Sequence, residues 1–185
     1  MSFLEFAQTL QKFKKVKRSG WIEHGNIQRS DAESVTDHSY SLAMLALIHA
    51  RSLDCNPEKL SLMALVHDLP EALVGDEIIE IGAKTVGSKE EKHKREKIAM
   101  QQIIRLLPKG DLLLQIWEEY NEQETHEARI LKQLDKLEMA YQAFYYQKEN
   151  NNINLEVFWE NVRTHIKHPI LLELLKEAEE KNTLA

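Results

Sequence analysis

The chain has 185 residues, of which 43% are hydrophobic and 29% charged, enough for one domain with a packed core and a composition that argues against extensive disorder. A formal net charge of -6 excludes the strongly basic face of a duplex-binding protein, and the single cysteine, Cys55, excludes an intrachain disulfide or a cysteine-paired zinc or redox site. No apolar run approaches the roughly 18 residues of a membrane span, and the N-terminus lacks an uninterrupted apolar signal segment, so the expectation is a soluble cytoplasmic protein with neither a membrane nor a nucleic-acid polymer as partner.

In chain order, Phe3, Leu4, Phe6, Ala7, Leu10, Phe13 and Val16 recur at helical spacing and predict a first amphipathic helix reaching about Arg18, stopped by Ser19-Gly20. Its run of Lys12, Lys14, Lys15, Lys17 and Arg18 reads as a solvated face. Trp21 to Thr36 has no sustained period and reads as an ordered loop, of a length that often carries function. A second helix is expected from about Asp37 to Leu53, after the capping residues Ser34 and Thr36. Asn56-Pro57 specifies the start of a third, because Asn caps well and Pro suits the first helical position; Pro70 should end or kink it just after His67-Asp68.

Glu71 to Gly87, with Gly75, Gly82 and Gly87 among apolar residues, reads as short turns or a lid. Ser88 to Glu91 has the pattern of a capping box and opens a helix expected to reach Leu107, where Pro108 to Gly110 breaks the chain. A shorter helix from Asp111 to about Tyr120 precedes a long one from about Thr125 to Lys148, with Leu131, Leu134, Leu137, Tyr141 and Phe144 inward. Leu155 to Glu180 reads as two helices divided near Pro169. With no run of alternating β-branched residues, the fold class expected is all-α, a single domain over residues 1–185 with a core at about 3–168 and a C-terminal helix at about 169–180.

His67-Asp68 ends the apolar segment Leu60 to Val66, so two polar side chains stand where the pattern calls for hydrophobes. Burying them unpartnered would cost a few kcal/mol. A divalent ion removes that cost, since a neutral imidazole nitrogen and a carboxylate oxygen are both good ligands for it. His38 at the start of the second helix and Asp135 between apolar neighbours on the longest helix complete a set of two imidazoles and two carboxylates from three helices.

An ordered His, His-Asp pair and distant Asp in a helical domain resembles the HD superfamily of metal-dependent phosphohydrolases. Arg18, Trp21, the segment Glu33 to His38, and the segment His67 to Asp76 resemble in particular its 5'-deoxynucleotidase branch, over the stretch from Phe3 to about residue 165. The resemblance implies one divalent ion, of the Mn, Co, Fe, Ni or Zn group, on His38, His67, Asp68 and Asp135. It implies Glu71 as the catalytic acidic residue beside the reacting phosphate, placed to protonate the departing oxygen or to orient the water, Arg18 as the phosphate contact, Asp76 as the sugar contact and Trp21 as a substrate-site wall. Here Ser19-Gly20 separates Arg18 from Trp21, which stand side by side in some members.

The activity so implied is hydrolysis of deoxyribonucleoside 5'-monophosphates, small-molecule nucleotide substrates, by a homodimer. Two alternatives stay open: an HD phosphohydrolase for a triphosphate, guanosine polyphosphate or cyclic dinucleotide, and a metal-containing helical module that binds a partner without catalysis. His24, His93, His126, His165 and His168 lack clustered partners and read as surface or core.

Overall fold

The computed structural model describes residues 2–183, so the expected domain range 1–185 includes residues 1, 184 and 185, which lie outside the described residues. Ten α-helices account for most of these residues, joined by one 3-10 turn and one two-residue β-hairpin, and the fold class is all-α as expected. None of the described helices is long and apolar enough to cross a membrane.

Helix α1 spans Phe3–Phe13 and stops short of the expected Arg18. Residues 16–18 are extended instead, because their backbone pairs with 33–35: Val35 N donates to Val16 O at 2.9 Å and Arg18 N to Glu33 O at 3.1 Å. This pairing competes successfully with the helical ladder and holds Arg18 beside the start of α3. Ser19-Gly20 does not stop a helix but opens one, α2 (Ser19–Glu23), which runs into the stretch from Trp21 that the sequence suggested was loop.

Helix α3 (Val35–His49) begins two residues before the expected Asp37, because Ser34 and Asp37 cap it reciprocally: Asp37 N donates to Ser34 Oγ at 3.1 Å and Ser34 N to Asp37 Oδ2 at 2.8 Å. It passes into a 3-10 turn at Ala50–Leu53. Helix α4 (Pro57–Val66) starts at Asn56-Pro57 as the sequence specifies, with Asn56 Oδ1 accepting from Glu58 N and Lys59 N, and it ends before His67. Short α5 (Glu71–Val74) follows Pro70.

The hairpin β1 (Glu80–Ile81) and β2 (Lys84–Thr85) pairs antiparallel, Glu80 opposite Thr85. Two residues per strand are too few for alternation to register in a sequence, which is why no strand was expected there. Gly82, at φ +57, supplies the left-handed turn. Helix α6 (Lys89–Ile104) is capped by Ser88, and ends one turn before Leu107. Helices α7 (Asp111–Glu122), α8 (His126–Glu149), α9 (Glu156–His165) and α10 (Pro169–Thr183) complete the chain.

Helix α8, roughly 36 Å long at 1.5 Å per residue, is the central post against which α3, α4, α7, α9 and α10 pack. Leu131, Leu134 and Leu137 on its inner stripe are fully buried, and truncating one would cost roughly 2–5 kcal/mol. A second apolar cluster joins Phe13, Val66, Met100 and Trp117 beneath α1, α6 and α7. The polar residues of interest emerge between these two clusters, at the ends of α3 and α4 and the middle of α8.

Candidate metal centre and active site

His38 sits one turn inside the capped end of α3 and has no exposed surface. Its Nδ1 is 2.6 Å from Glu138 Oε2, and its Nε2 is 3.2 Å from Asp135 Oδ1. Asp135 and Glu138 are three residues apart on α8, hence on one face. His67 follows the last turn of α4, with Nδ1 2.7 Å from Ala64 O. A carbonyl only accepts, so His67 Nδ1 carries the proton and Nε2 is left with its lone pair. The Glu138 carboxylate fixes His38 in the same sense.

Both Nε2 atoms are buried and without a hydrogen-bond partner, and the two rings lie 5.5 Å apart. Together with an Asp135 oxygen these nitrogens lie within 4.8 Å of one another. Two imidazole lone pairs that no hydrogen bond satisfies, set among carboxylates, are a donor set that suits a divalent cation. Asp68 stands beside this trio: its Oδ2 is 3.0 Å from His67 Nε2 and 3.2 Å from Arg18 Nη1. A second carboxylate-histidine group, Glu33, His38 and Glu138, lies behind the first.

The electrostatics favour positive charge at this point. Burial opposes a charge on His38, but Glu138 and Asp135 push it up to about 10. Burial likewise works against ionised Asp68 and Asp135, yet His67 and Arg18 hold the first, and Lys132 and His38 the second, well below the usual carboxylate range. Glu71 goes the other way. Burial, then the nearby Asp68 and Asp76, raise it well above an ordinary carboxylic acid, with Lys92 opposing. The Lys92 ammonium stays charged despite its burial, held by Glu71 and Glu96.

Glu71 opens α5 and is fully buried. Lys92 Nζ is 3.0 Å from Glu71 Oε1, while Glu71 Oε2 is buried with no partner. Asp76 Oδ2 accepts from Ser19 N at 2.6 Å, and its Oδ1 is 3.9 Å from Arg18 Nη1. Arg18 therefore spans Asp68 and Asp76. Trp21 is 2% exposed; its ring stacks on Phe158 at 4.1 Å and its Nε1 donates to Glu33 Oε1 at 2.7 Å. Its indole is part of the core as well as of the cavity wall.

A cavity of about 430 Å³ opens over these groups, within the range of small-ligand sites. Its lining includes Arg18, His67, Asp68, Glu71 and Asp76, together with Lys136, Phe158, Asn161 and residues 77–82 of the hairpin segment. All eight residues singled out from the sequence thus lie in one neighbourhood. His38 is behind the wall, and the other seven line the cavity.

Several neighbours had no signal of their own. Glu138 was hidden in the stripe of α8, though an acid at an inward position three residues from Asp135 was a clue. Lys92 lies on the α6 helix without a reading of its own, and His93 was expected to be surface or core; in the structure both line the cavity, His93 stacked on Trp117. His24, also expected to be surface or core, lines the cavity too.

The sequence profile of the HD domain matches residues 10–177. Human 5'-deoxynucleotidase HDDC2 is 39% identical over 182 residues, covering 96% of this chain and 85% of that protein. The fission yeast (Schizosaccharomyces pombe) 5'-deoxynucleotidase hdd1 is 34% identical, covering 97% and 92%. Among solved structures, the PH0347 protein from Pyrococcus horikoshii OT3 superposes with a TM-score of 0.75 at 27% identity, covering 99% of this chain and all of that one. A profile match across most of the length, and relatives of this identity over nearly whole chains, coincide with a buried His, His-Asp and Asp constellation between helices, and the chain belongs to the HD domain family.

Proposed function

We propose that this protein is a 5'-deoxynucleotidase, hydrolysing deoxyribonucleoside 5'-monophosphates to the deoxynucleoside and phosphate. The observation that carries this reading is the cluster of two unpartnered imidazole nitrogens, on His38 and His67, with the Asp135 carboxylate, set against a cavity that His67, Asp135 and Glu71 line. Relatives named for that activity align with nearly the whole chain.

In this reading His38, His67, Asp68 and Asp135 hold one divalent ion, of the Mn, Co, Fe, Ni or Zn group. Such an ion supplies an activated water and draws charge from the phosphoryl group. Glu138 and the Ala64 carbonyl keep the two imidazoles in the ligating tautomer. Glu71, held raised by burial, carries a proton to the departing 5'-oxygen, and Lys92 fixes the carboxyl through Oε1, leaving Oε2 without a partner. Arg18 turns its planar fork to the phosphate, and Asp76 accepts from a sugar hydroxyl.

The two apolar clusters meet at Leu62, which supports one domain over the whole length. The stripe Tyr40, Met44, Leu47 and Ile48 on α3 is exposed and apolar, which supports a homodimer, and the lone buried Cys55 suits a reducing cytoplasm. Phosphate release from mono-, di- and triphosphates by metal-reconstituted protein tests the activity. The expected result is preference for deoxymonophosphates; preference for triphosphates rejects it.

A further inference from the structure

Glu80 is crowded with donors. Its carboxylate takes Lys89 Nζ at 2.7 Å, His165 Nε2 at 3.3 Å and Asn161 Nδ2 at 3.4 Å, while Lys136 Nζ stands off at 3.9 Å, beyond hydrogen-bond reach. The other inner cations of the cavity are held more closely: Arg18 is 3.2 Å from Asp68, Lys92 is 3.0 Å from Glu71, and Lys132 is 3.3 Å from Asp135. Among the described residues, Glu80 is the one acidic group within ion-pair range of Lys136, and its oxygens already have nearer partners.

The Lys136 side chain is only 14% exposed, so water satisfies its three donors poorly. A mostly buried ammonium without an acceptor is costly. A ligand bringing anionic oxygens removes that cost. Lys136 interacts electrostatically with Asp135 and with Arg18, and Lys132 and Met139, a turn to either side, line the same cavity. The acceptor therefore belongs close to the metal end of the cavity. A neutral sugar hydroxyl or base carbonyl would leave the charge uncompensated against Phe158, Met139 and Val157.

We infer that Lys136 is a phosphate contact, its ammonium donating to a nonbridging oxygen of the phosphoryl group that Arg18 grips from the 16–18 segment. This rests on the proposed function for the substrate's identity, but phosphate binding itself is measured separately. The residue is a point charge rather than a fork, so it would add attraction and leave orientation to Arg18.

The test is calorimetric titration of inorganic phosphate into metal-loaded wild type, Lys136→Met and Lys136→Gln, beside kcat/KM for a deoxymonophosphate and for 4-nitrophenyl phosphate. Both variants should keep the metal by elemental analysis, bind phosphate roughly tenfold or more weakly, and lose a similar factor on both substrates. Should Lys136→Met fail to fold, Lys136→Gln carries the same comparison. An unchanged phosphate affinity overturns the assignment. So does a loss confined to the nucleotide, which would put Lys136 on the sugar or base, or loss of metal from both variants, which would make it a support for Asp135. If wild type hydrolyses neither substrate, the proposed function falls while the phosphate titration still decides the role of Lys136.

Discussion

Lys92 and Glu71 meet at 3.0 Å between α6 and α5, and the contact takes only one of the two Glu71 oxygens. The ammonium holds the carboxyl through Oε1 and leaves Oε2 buried without a partner. Two variants separate these roles. Glu71→Gln removes the acid and should lower kcat on the order of 10²-fold with metal retained. Lys92→Met releases the acid and should lower kcat about tenfold, again with metal retained. Wild-type turnover in metal-loaded Glu71→Gln would remove it from the reaction.

The metal ligands are tested by occupancy rather than rate. Asp68→Ala and Asp135→Ala should each strip the ion, as read by elemental analysis after gel filtration. Glu138→Gln should keep the site but weaken it by roughly 10–100-fold in metal affinity, because His38 loses the carboxylate that orients it. A full complement of metal in Asp68→Ala would exclude that residue, which stands beside the His38, His67 and Asp135 trio in the structure.

Much of this was legible in the residues. The Asn56-Pro57 start and the Ser34 cap place His67 and His38, because short-range hydrogen bonds set both helix registers and the apolar stripes set their faces. Asp135 was marked by its apolar neighbours. What was not legible depended on contacts between distant segments: the 16–18 pairing with 33–35 that ends α1 early, the two-residue hairpin, and Lys92, whose charged surroundings in sequence conceal a buried partner. Trp21 combines both cases, since only the fold reveals Glu33 and Phe158 as its partners.

Trp21 gives a stability prediction. Trp21→Phe keeps an aromatic ring against Phe158 but strands the buried Glu33 oxygen that now accepts from the indole. The loss should be about 1–3 kcal/mol in chemical denaturation. A change of a few tenths would show that the indole hydrogen bond contributes little.

Asp76 holds Ser19 N and faces Arg18, so its removal should matter in proportion to how much sugar the substrate has. Asp76→Ala should reduce kcat/KM roughly 10-fold or more for deoxymonophosphates and far less for 4-nitrophenyl phosphate, whereas Arg18→Ala should impair both. Equal losses on both substrates in Asp76→Ala would assign it to framing α2 and Arg18 instead of the sugar.

The central claim is hydrolysis of deoxyribonucleoside 5'-monophosphates, and matched pairs of substrates test it most directly. Metal-loaded protein should release phosphate from each deoxymonophosphate with a kcat/KM above that of the corresponding ribomonophosphate, whichever base is present. Equal values for deoxy and ribo partners across all bases would contradict the deoxynucleotidase reading.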